Sequence, residues 1–382
     1  MESSKLNLYR NYWRPNGKPW ISITPVKICV YSFLIASLYT LVAVYCDFAK
    51  EPVEDSYISY AENISWSLSL VAIFPAVLGL TFYYYQKAPM VLMDLYRTLV
   101  GTTNSSAFDQ LCKRIDELAN HRLVPIAVLA AAVILNIVFF RPFLIDPEHA
   151  ESWMFYKEEW SIFEFKNQFT YVGYVAVFIQ VFLTYWMILF VVKNLIFIRG
   201  LYEFFQCDDY EIKIDPLHSD GVNGLGKLRG LATIQATIIL FIGFYVSLKV
   251  IDKVYQQQIP LLDDPGNLLV LLGYTIFAPL LFFLILGAAR QKARKAKEEF
   301  LDVISKRISV LIEKAIQANP TAPDRFSESA EQLTFWQDQH IKYSQRILVW
   351  PFNWRSLQGF FGVVIVPLIP PISAGVSYLF NT

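Results

Sequence analysis

No acidic residue falls inside any of the long apolar stretches of this chain, and the basic residues gather on alternate sides of them. A run of about 20 mainly apolar residues crosses the roughly 30 Å hydrocarbon layer as a helix. Such runs occur at 28–45, 64–85, 123–145, 170–198, 231–250, 267–287 and 357–380. In hydrocarbon the backbone must satisfy its own hydrogen bonds, which favours helices over open strands. The pattern predicts an all-α fold: a polytopic α-helical membrane protein with six clear spans. The seventh run carries Pro367, Pro370 and Pro371, so it either crosses as a kinked helix or re-enters. Composition agrees, since 55% of residues are apolar and mean hydropathy is +0.37.

Loop charge predicts orientation. The three loops 46–63, 146–169 and 251–266 together hold 4 basic and 14 acidic residues, and the remaining non-membrane segments hold 26 and 19. Because Lys and Arg stay on the cytoplasmic side, the N-terminus is expected inside. The loop 199–230 is the weakest contributor, with more acids than bases. Arg141, Lys193 and Lys249 lie near span ends, where long side chains reach back to the interface. The first span resembles a signal peptide in its basic flank, but Tyr45-Cys46 offers no small-x-small cleavage site, so it is read as an anchor.

The expected organisation follows. Residues 1–27 form a basic tail, 28–287 hold six transmembrane helices with short loops, 288–356 form a cytoplasmic helical hairpin, and 357–382 hold the last segment. Within the loops, 105–119 starts with a capping-box-like Ser105-Ser106-Ala107-Phe108-Asp109 and puts Phe108, Leu111, Cys112, Ile115 and Leu118 on one helical face. It is expected to be an amphipathic helix. In 151–165, Trp153, Tyr156, Trp160 and Phe163 recur at steps of three and four, which predicts an outer interfacial helix. In the hairpin, one stripe runs through Leu301, Ile304, Ile308 and Leu311, and a second through Leu333, Trp336, His340, Tyr343 and Ile347. Its basic start at 290–297 suits the anionic headgroups of the inner leaflet and needs no nucleic acid to explain it. The apolar arms also suit a homo-oligomer.

Chemistry-bearing motifs are sparse. The four cysteines are scattered, with no pair on the outer side and no C-x-x-C spacing, so they predict neither a disulfide nor a zinc site. No H-E-x-x-H or G-x-S-x-G occurs, and no catalytic residue, cofactor or metal is assigned. The most polar stretch near a span is 214–230. His218, Asp220, Gly221, Gly224, Gly226, Lys227 and Arg229 there form a candidate ligand- or headgroup-binding loop, with glycines for close backbone approach and two cations for an anion. The competing reading is a turn that caps the next span, since Asp-Gly and Asn-Gly are turn formers. Gly226-Lys227-Leu228 departs from a Walker loop, which needs Ser or Thr after the Lys.

Away from the span ends the polar groups singled out are neutral, including the amides Asn136, Gln180 and Gln235 and the hydroxyls of Ser32, Thr40 and Thr275. The lack of intramembrane carboxylates argues against proton coupling. The amides and hydroxyls are expected to cross-link helices, with lining of a cavity or pore of modest polarity as the alternative for the three amides.

The run Leu217-His218-Ser219-Asp220-Gly221-Val222-Asn223-Gly224-Leu225-Gly226, with Trp350-Pro351-Phe352 before the last apolar segment, resembles a poorly characterised group of bacterial multi-pass inner-membrane proteins. That group carries an H-P-D-G-x-G-G-L-type loop and a W-P-F stretch. This chain departs from it at Ser219 and Asn223. The resemblance implies a bacterial inner-membrane setting and assigns no activity. The leading expectation is a non-enzymatic, oligomeric channel or membrane effector whose helical module binds a partner. The alternatives are a transporter of an uncharged or amphipathic substrate, which would need a midplane cavity lined by Asn136, Gln180 or Gln235, and a lipid-modifying enzyme using His218 and Asp220.

Overall fold

Thr24 caps the first helix: its hydroxyl accepts the Lys27 amide at 3.3 Å, and Pro25 takes the first turn, where its missing N–H costs nothing. In the computed structural model the described residues are 24–48, 64–100, 105–145, 155–157, 167–169, 171–207, 212–215, 218, 224–251, 265–317, 323–347, 358, 361–362, 365–369 and 373. Helix α1 (Pro25–Phe48) is followed by α2 (Ile64–Leu68), which passes through a π turn, Ser69–Ile73, into α3 (Phe74–Leu99). The π turn has a local cause. Pro75 has no N–H to donate, and the ladder slips by one residue so that the Phe74 amide bonds the Ser69 carbonyl.

Then come α4 (Ser105–Ala119), α5 (Leu123–Ile145), α6 (Tyr171–Gln206), α7 (Gly226–Ile251), α8 (Pro265–Gln317) and α9 (Pro323–Arg346). Among the described residues, six helical segments are long and apolar enough to cross a membrane. Of the seventh apolar run, the described part is mainly a short 3-10 helix, Val366–Leu368, which packs on α7 through a buried Pro367. The tail 1–23 lies outside the described residues.

Helices α3, α7, α8 and α6 contact one another in a closed ring, while α1 lies against α3 and α5 against α6. Burial follows this layout. Over the most apolar window, 61% of the α3 segment and 56% of α7 are buried, against 22% for α1 and 17% for the segment holding α5. Leu34, Ile35 and Leu38 on α1 and Ile134 and Ile137 on α5 are consequently exposed, in a quantity suited to lipid rather than water. Hydrogen bonds to backbone carbonyls help tie both ends of the bundle. At one, the Tyr39 hydroxyl donates to the Val172 carbonyl (3.0 Å), and at the other the Lys213 amide donates to the Leu99 carbonyl (2.8 Å).

Helix α4 packs flat on α6 because Gly200 leaves space for the Ile115 side chain. Phe108 stacks on Tyr96 of α3 at 4.1 Å between centroids. The hairpin is formed by α8, 53 residues without a break, and α9. At 1.5 Å per residue α8 is about 80 Å long. Ile304 and Ile347 are buried between the two arms, Phe300 meets Tyr343 edge-on, and the Arg307 guanidinium lies 5.4 Å from the Trp336 ring.

Two expectations need correction here. Residues 155–157, within the segment 151–165 read as an interfacial helix, form a β-strand. β1 (Phe155–Lys157) pairs antiparallel with β2 (Asn167–Phe169), Phe155 opposite Phe169. Aromatic residues have high strand propensity, and a backbone beyond the hydrocarbon is free to pair across a hairpin. Trp153, Trp160 and Phe163 lie outside the described residues. Of the span hydroxyls expected to cross-link helices, three bond within their own helix. Ser32, Thr40 and Thr275 donate to the carbonyl four residues back in their own helix, at 2.7–2.9 Å.

Candidate intramembrane binding site

Tyr245 and Lys249 lie one turn apart on α7, so both side chains project from the same face. That face looks toward α6, where Gln180 donates its Nε2–H to the Tyr245 hydroxyl. With Tyr274 on α8 and Asn136 on α5, these residues border a cavity of about 340 Å³ between the four helices. Ligand pockets begin at about 300 Å³. The rest of the wall is apolar, including Met187, Ile188, Ile239 and Leu281. From Gln180 to Val191 along α6 the lining covers about 16 Å of helix.

The cavity opens sideways. Leu135 and Val138 of α5, and Val270 and Phe277 of α8, line it and are also exposed on the apolar exterior. The opening lies between α5 and α8, among apolar side chains. Gly243 sets the shape of one wall. A Cβ there would overlap the Tyr274 ring, and would stand 2.9 Å from Pro367 Cβ. Glycine lets the ring lie flat on α7.

The polar atoms are few and unequally satisfied. Asn136, 4% exposed, donates to the Ala132 carbonyl at 2.8 Å. Gln180, 6% exposed, uses Nε2 on Tyr245, while its Oε1 has no partner among the described residues. The Tyr274 hydroxyl likewise has none. An unpaired buried acceptor costs about 1–3 kcal/mol, which a ligand donor would recover. Among the described residues, Lys249 is the one charged residue of the lining, its Nζ 4.3 Å from the Trp66 ring centroid and 5.8 Å from that of Tyr245.

Of the three amides singled out from sequence, Asn136 and Gln180 line the cavity and Gln235 does not. Gln235 is fully buried within the bundle, and neither amide atom is bonded among the described residues. Tyr245 and Tyr274 were not picked from sequence, and Lys249 was read there only as a span-end cation. The Tyr-x-x-x-Lys spacing was the available signal, a hydroxyl and a cation on one face of an otherwise apolar helix.

In the 214–230 loop, Gly224 adopts φ +82°, a conformation that favours glycine. Buried Leu225 follows, and its carbonyl accepts the Leu228 and Arg229 amides to start α7. His218 closes a turn onto the Asp215 carbonyl (3.1 Å) and lies beside Gly224. Gly226 begins the helix, Lys227 is exposed and Arg229 half-buried. Asp220 and Gly221 lie outside the described residues. Among the described residues, no group of three or more His, Cys, Asp or Glu side chains is placed to hold a metal.

A second polar cluster overturns the expectation that Lys193 reaches out to the interface. Lys193 is 1% exposed and faces the bundle, where its Nζ donates to Asn120 Oδ1 at 3.3 Å. Asn120 in turn donates to Asp116 Oδ1 at 2.9 Å, and the Tyr85 ring lies 5.5 Å from the ammonium. Next to it, the Tyr84 hydroxyl donates to Asn194 Oδ1 at 2.5 Å. The α4–α5 corner folds over this end of α6 and covers Lys193, so the cation is paired rather than solvated. No family model, curated protein or solved structure matches the chain.

Proposed function

We propose that this is a non-enzymatic membrane protein that takes an uncharged or amphipathic, mainly apolar molecule from the bilayer into the α5–α8 cavity. The observation that carries this reading is the unpaired Gln180 Oε1 in an otherwise apolar, laterally open cavity. It favours the transporter-like alternative over a water-filled channel, because the wall offers a few hydrogen-bonding atoms and no polar path. Helix α8 lines the cavity and continues without a break into the hairpin, so a single element links the two.

The test uses protein in nanodiscs and a terminally brominated dodecanol, which quenches nearby tryptophan. Saturable quenching is expected, abolished by Ala278→Phe, which fills the cavity, and weakened by Gln180→Leu, which keeps the volume. Non-saturable quenching that both variants leave unchanged overturns the reading. Uptake of the same probe into proteoliposomes then separates transport from reception.

A second reading, compatible with the first, rests on the hairpin. Val303, Val310, Ile316, Phe335 and Ile341 are exposed there, outside the two stripes that pack α8 on α9. These residues support a homo-oligomer or partner-binding effector. The charge bias supports a cytoplasmic N-terminus and hairpin, with 290–297 at anionic headgroups, and the two short motifs support a bacterial inner membrane.

A further inference from the structure

We infer that the molecule held in the α5–α8 cavity is a single-chain lipid whose head both donates and accepts a hydrogen bond, a hydroxyl or a primary amide. The head sits on the Gln180–Tyr245 pair, with the chain directed toward Val191. This rests on the cavity being a ligand site, and adds the chemistry of the head. Gln180 and Tyr245 come from facing helices, α6 and α7, and are 6% and 8% exposed on the cavity wall. Their contact uses only part of what each can do. Gln180 Nε2 donates to the Tyr245 hydroxyl, which leaves Gln180 Oε1 without a donor among the described residues. The Tyr245 oxygen accepts in that bond, so its own O–H proton is left to donate. An unmet acceptor and an unmet donor therefore stand side by side, held there by the bond between them.

A head that donates to Gln180 Oε1 and accepts from the Tyr245 O–H closes a ring of three hydrogen bonds, each polarising the next. The requirement holds whichever way the amide plane is turned. Turned over, Oε1 accepts from Tyr245, Nε2 donates to the head, and the head's own proton goes to the Tyr245 oxygen. An ether, ketone or ester accepts only, and leaves one bond of the ring unmade in either sense. Past the pair the wall is aliphatic, with Ile188 and Val191 on α6 and Ile239 and Ile242 on α7. Thr184 uses its hydroxyl on the Gln180 backbone carbonyl at 2.9 Å. An alkyl chain suits that length, about 16 Å from Gln180 to Val191. The volume of about 340 Å³, near the lower end of ligand pockets, admits one chain rather than the two of a phospholipid.

The experiment titrates nanodisc-reconstituted protein with terminally brominated dodecanol, dodecanamide and dodecyl methyl ether, reading tryptophan quenching against the mole fraction of probe in the lipid. The alcohol and the amide are expected to bind about fivefold or more tightly than the ether, a difference of about 1 kcal/mol. Gln180→Leu should bring all three to the ether's affinity and change ether binding by no more than about twofold, or about 0.4 kcal/mol. Tyr245→Phe should narrow the gap. The Gln180→Leu/Tyr245→Phe double variant should lose no more than Gln180→Leu alone, because the groups act as one ring. The tighter of alcohol and amide names the head, and either order supports the proposal. Ether binding as tight as the other two, a preference that survives Gln180→Leu, or additive losses in the double variant overturns the head assignment alone. Failure of all three probes to bind saturably, or their indifference to Ala278→Phe, overturns the cavity reading beneath it. Size-exclusion profiles and thermal melts of each variant separate lost binding from lost folding, and the alcohol-to-ether ratio of the unsubstituted protein needs no variant.

Discussion

Lys193 and Lys249 each sit on an apolar stretch of a membrane helix, and the fold gives them different surroundings. Lys193 is enclosed with Asn120 and Asp116, while Lys249 borders a cavity open to the bilayer. Their energetics differ accordingly. Removing the partner of a buried ion costs about 3–5 kcal/mol, whereas replacing the ion by an apolar residue of similar shape is near neutral. Asn120→Leu is therefore expected to lower thermal stability far more than Lys193→Met in detergent melts. The opposite order would show that Asn120 does not support the cation. At Gly200, a larger side chain would run into Ile115. Gly200→Val should destabilise by about 1–3 kcal/mol through overpacking. Much of that should return in the Gly200→Val/Ile115→Ala double variant, and additive losses would place the cause elsewhere. At this scale little was legible. Asn136 and Gln180 stood out as amides in apolar helices, but so did Gln235, and only packing separates the two that line the cavity from the one that does not.

The elements were far easier to read. Span positions follow from runs of apolar residues, and both hairpin stripes follow from spacing, because helix geometry is local. The strand at Phe155–Lys157 was missed for the same reason in reverse, since its pairing partner at Asn167–Phe169 lies outside any local window. One element contact has a defined lock. Lys297 of α8 donates to the Ser344 and Ile347 carbonyls at the end of α9, where a cation also complements the helix dipole. Lys297→Met should raise hydrogen exchange across α9 and leave α6 and α7 unchanged. Exchange that stays flat in α9 would show that the stripes alone hold the arm. The exposed pairs Arg294–Glu298, Lys295–Glu299 and Lys306–Asp302 add little, because water screens them.

For the whole molecule, the charge bias makes a topological prediction. In single-cysteine variants in intact cells, a membrane-impermeant maleimide should label Cys46 and reach Cys207 only after permeabilisation. The reverse pattern would invert the protein. Deleting 290–349 should leave insertion intact and abolish complex formation, as read by size exclusion with light scattering. An unchanged oligomer would sink the hairpin-interface reading. The sequence by itself determined that the chain is built of membrane helices and which six segments are long and apolar enough to span. It could do so because the cost of burying charge and unpaired backbone in hydrocarbon is levied residue by residue along the chain. Only the tertiary structure decided that α3, α6, α7 and α8 form the core, that Lys193 is enclosed, and that Gln180, Tyr245, Lys249 and Tyr274 converge on one cavity. Those facts depend on which helix faces meet, and in lipid the apolar pattern scarcely distinguishes a face that meets protein from one that meets acyl chains.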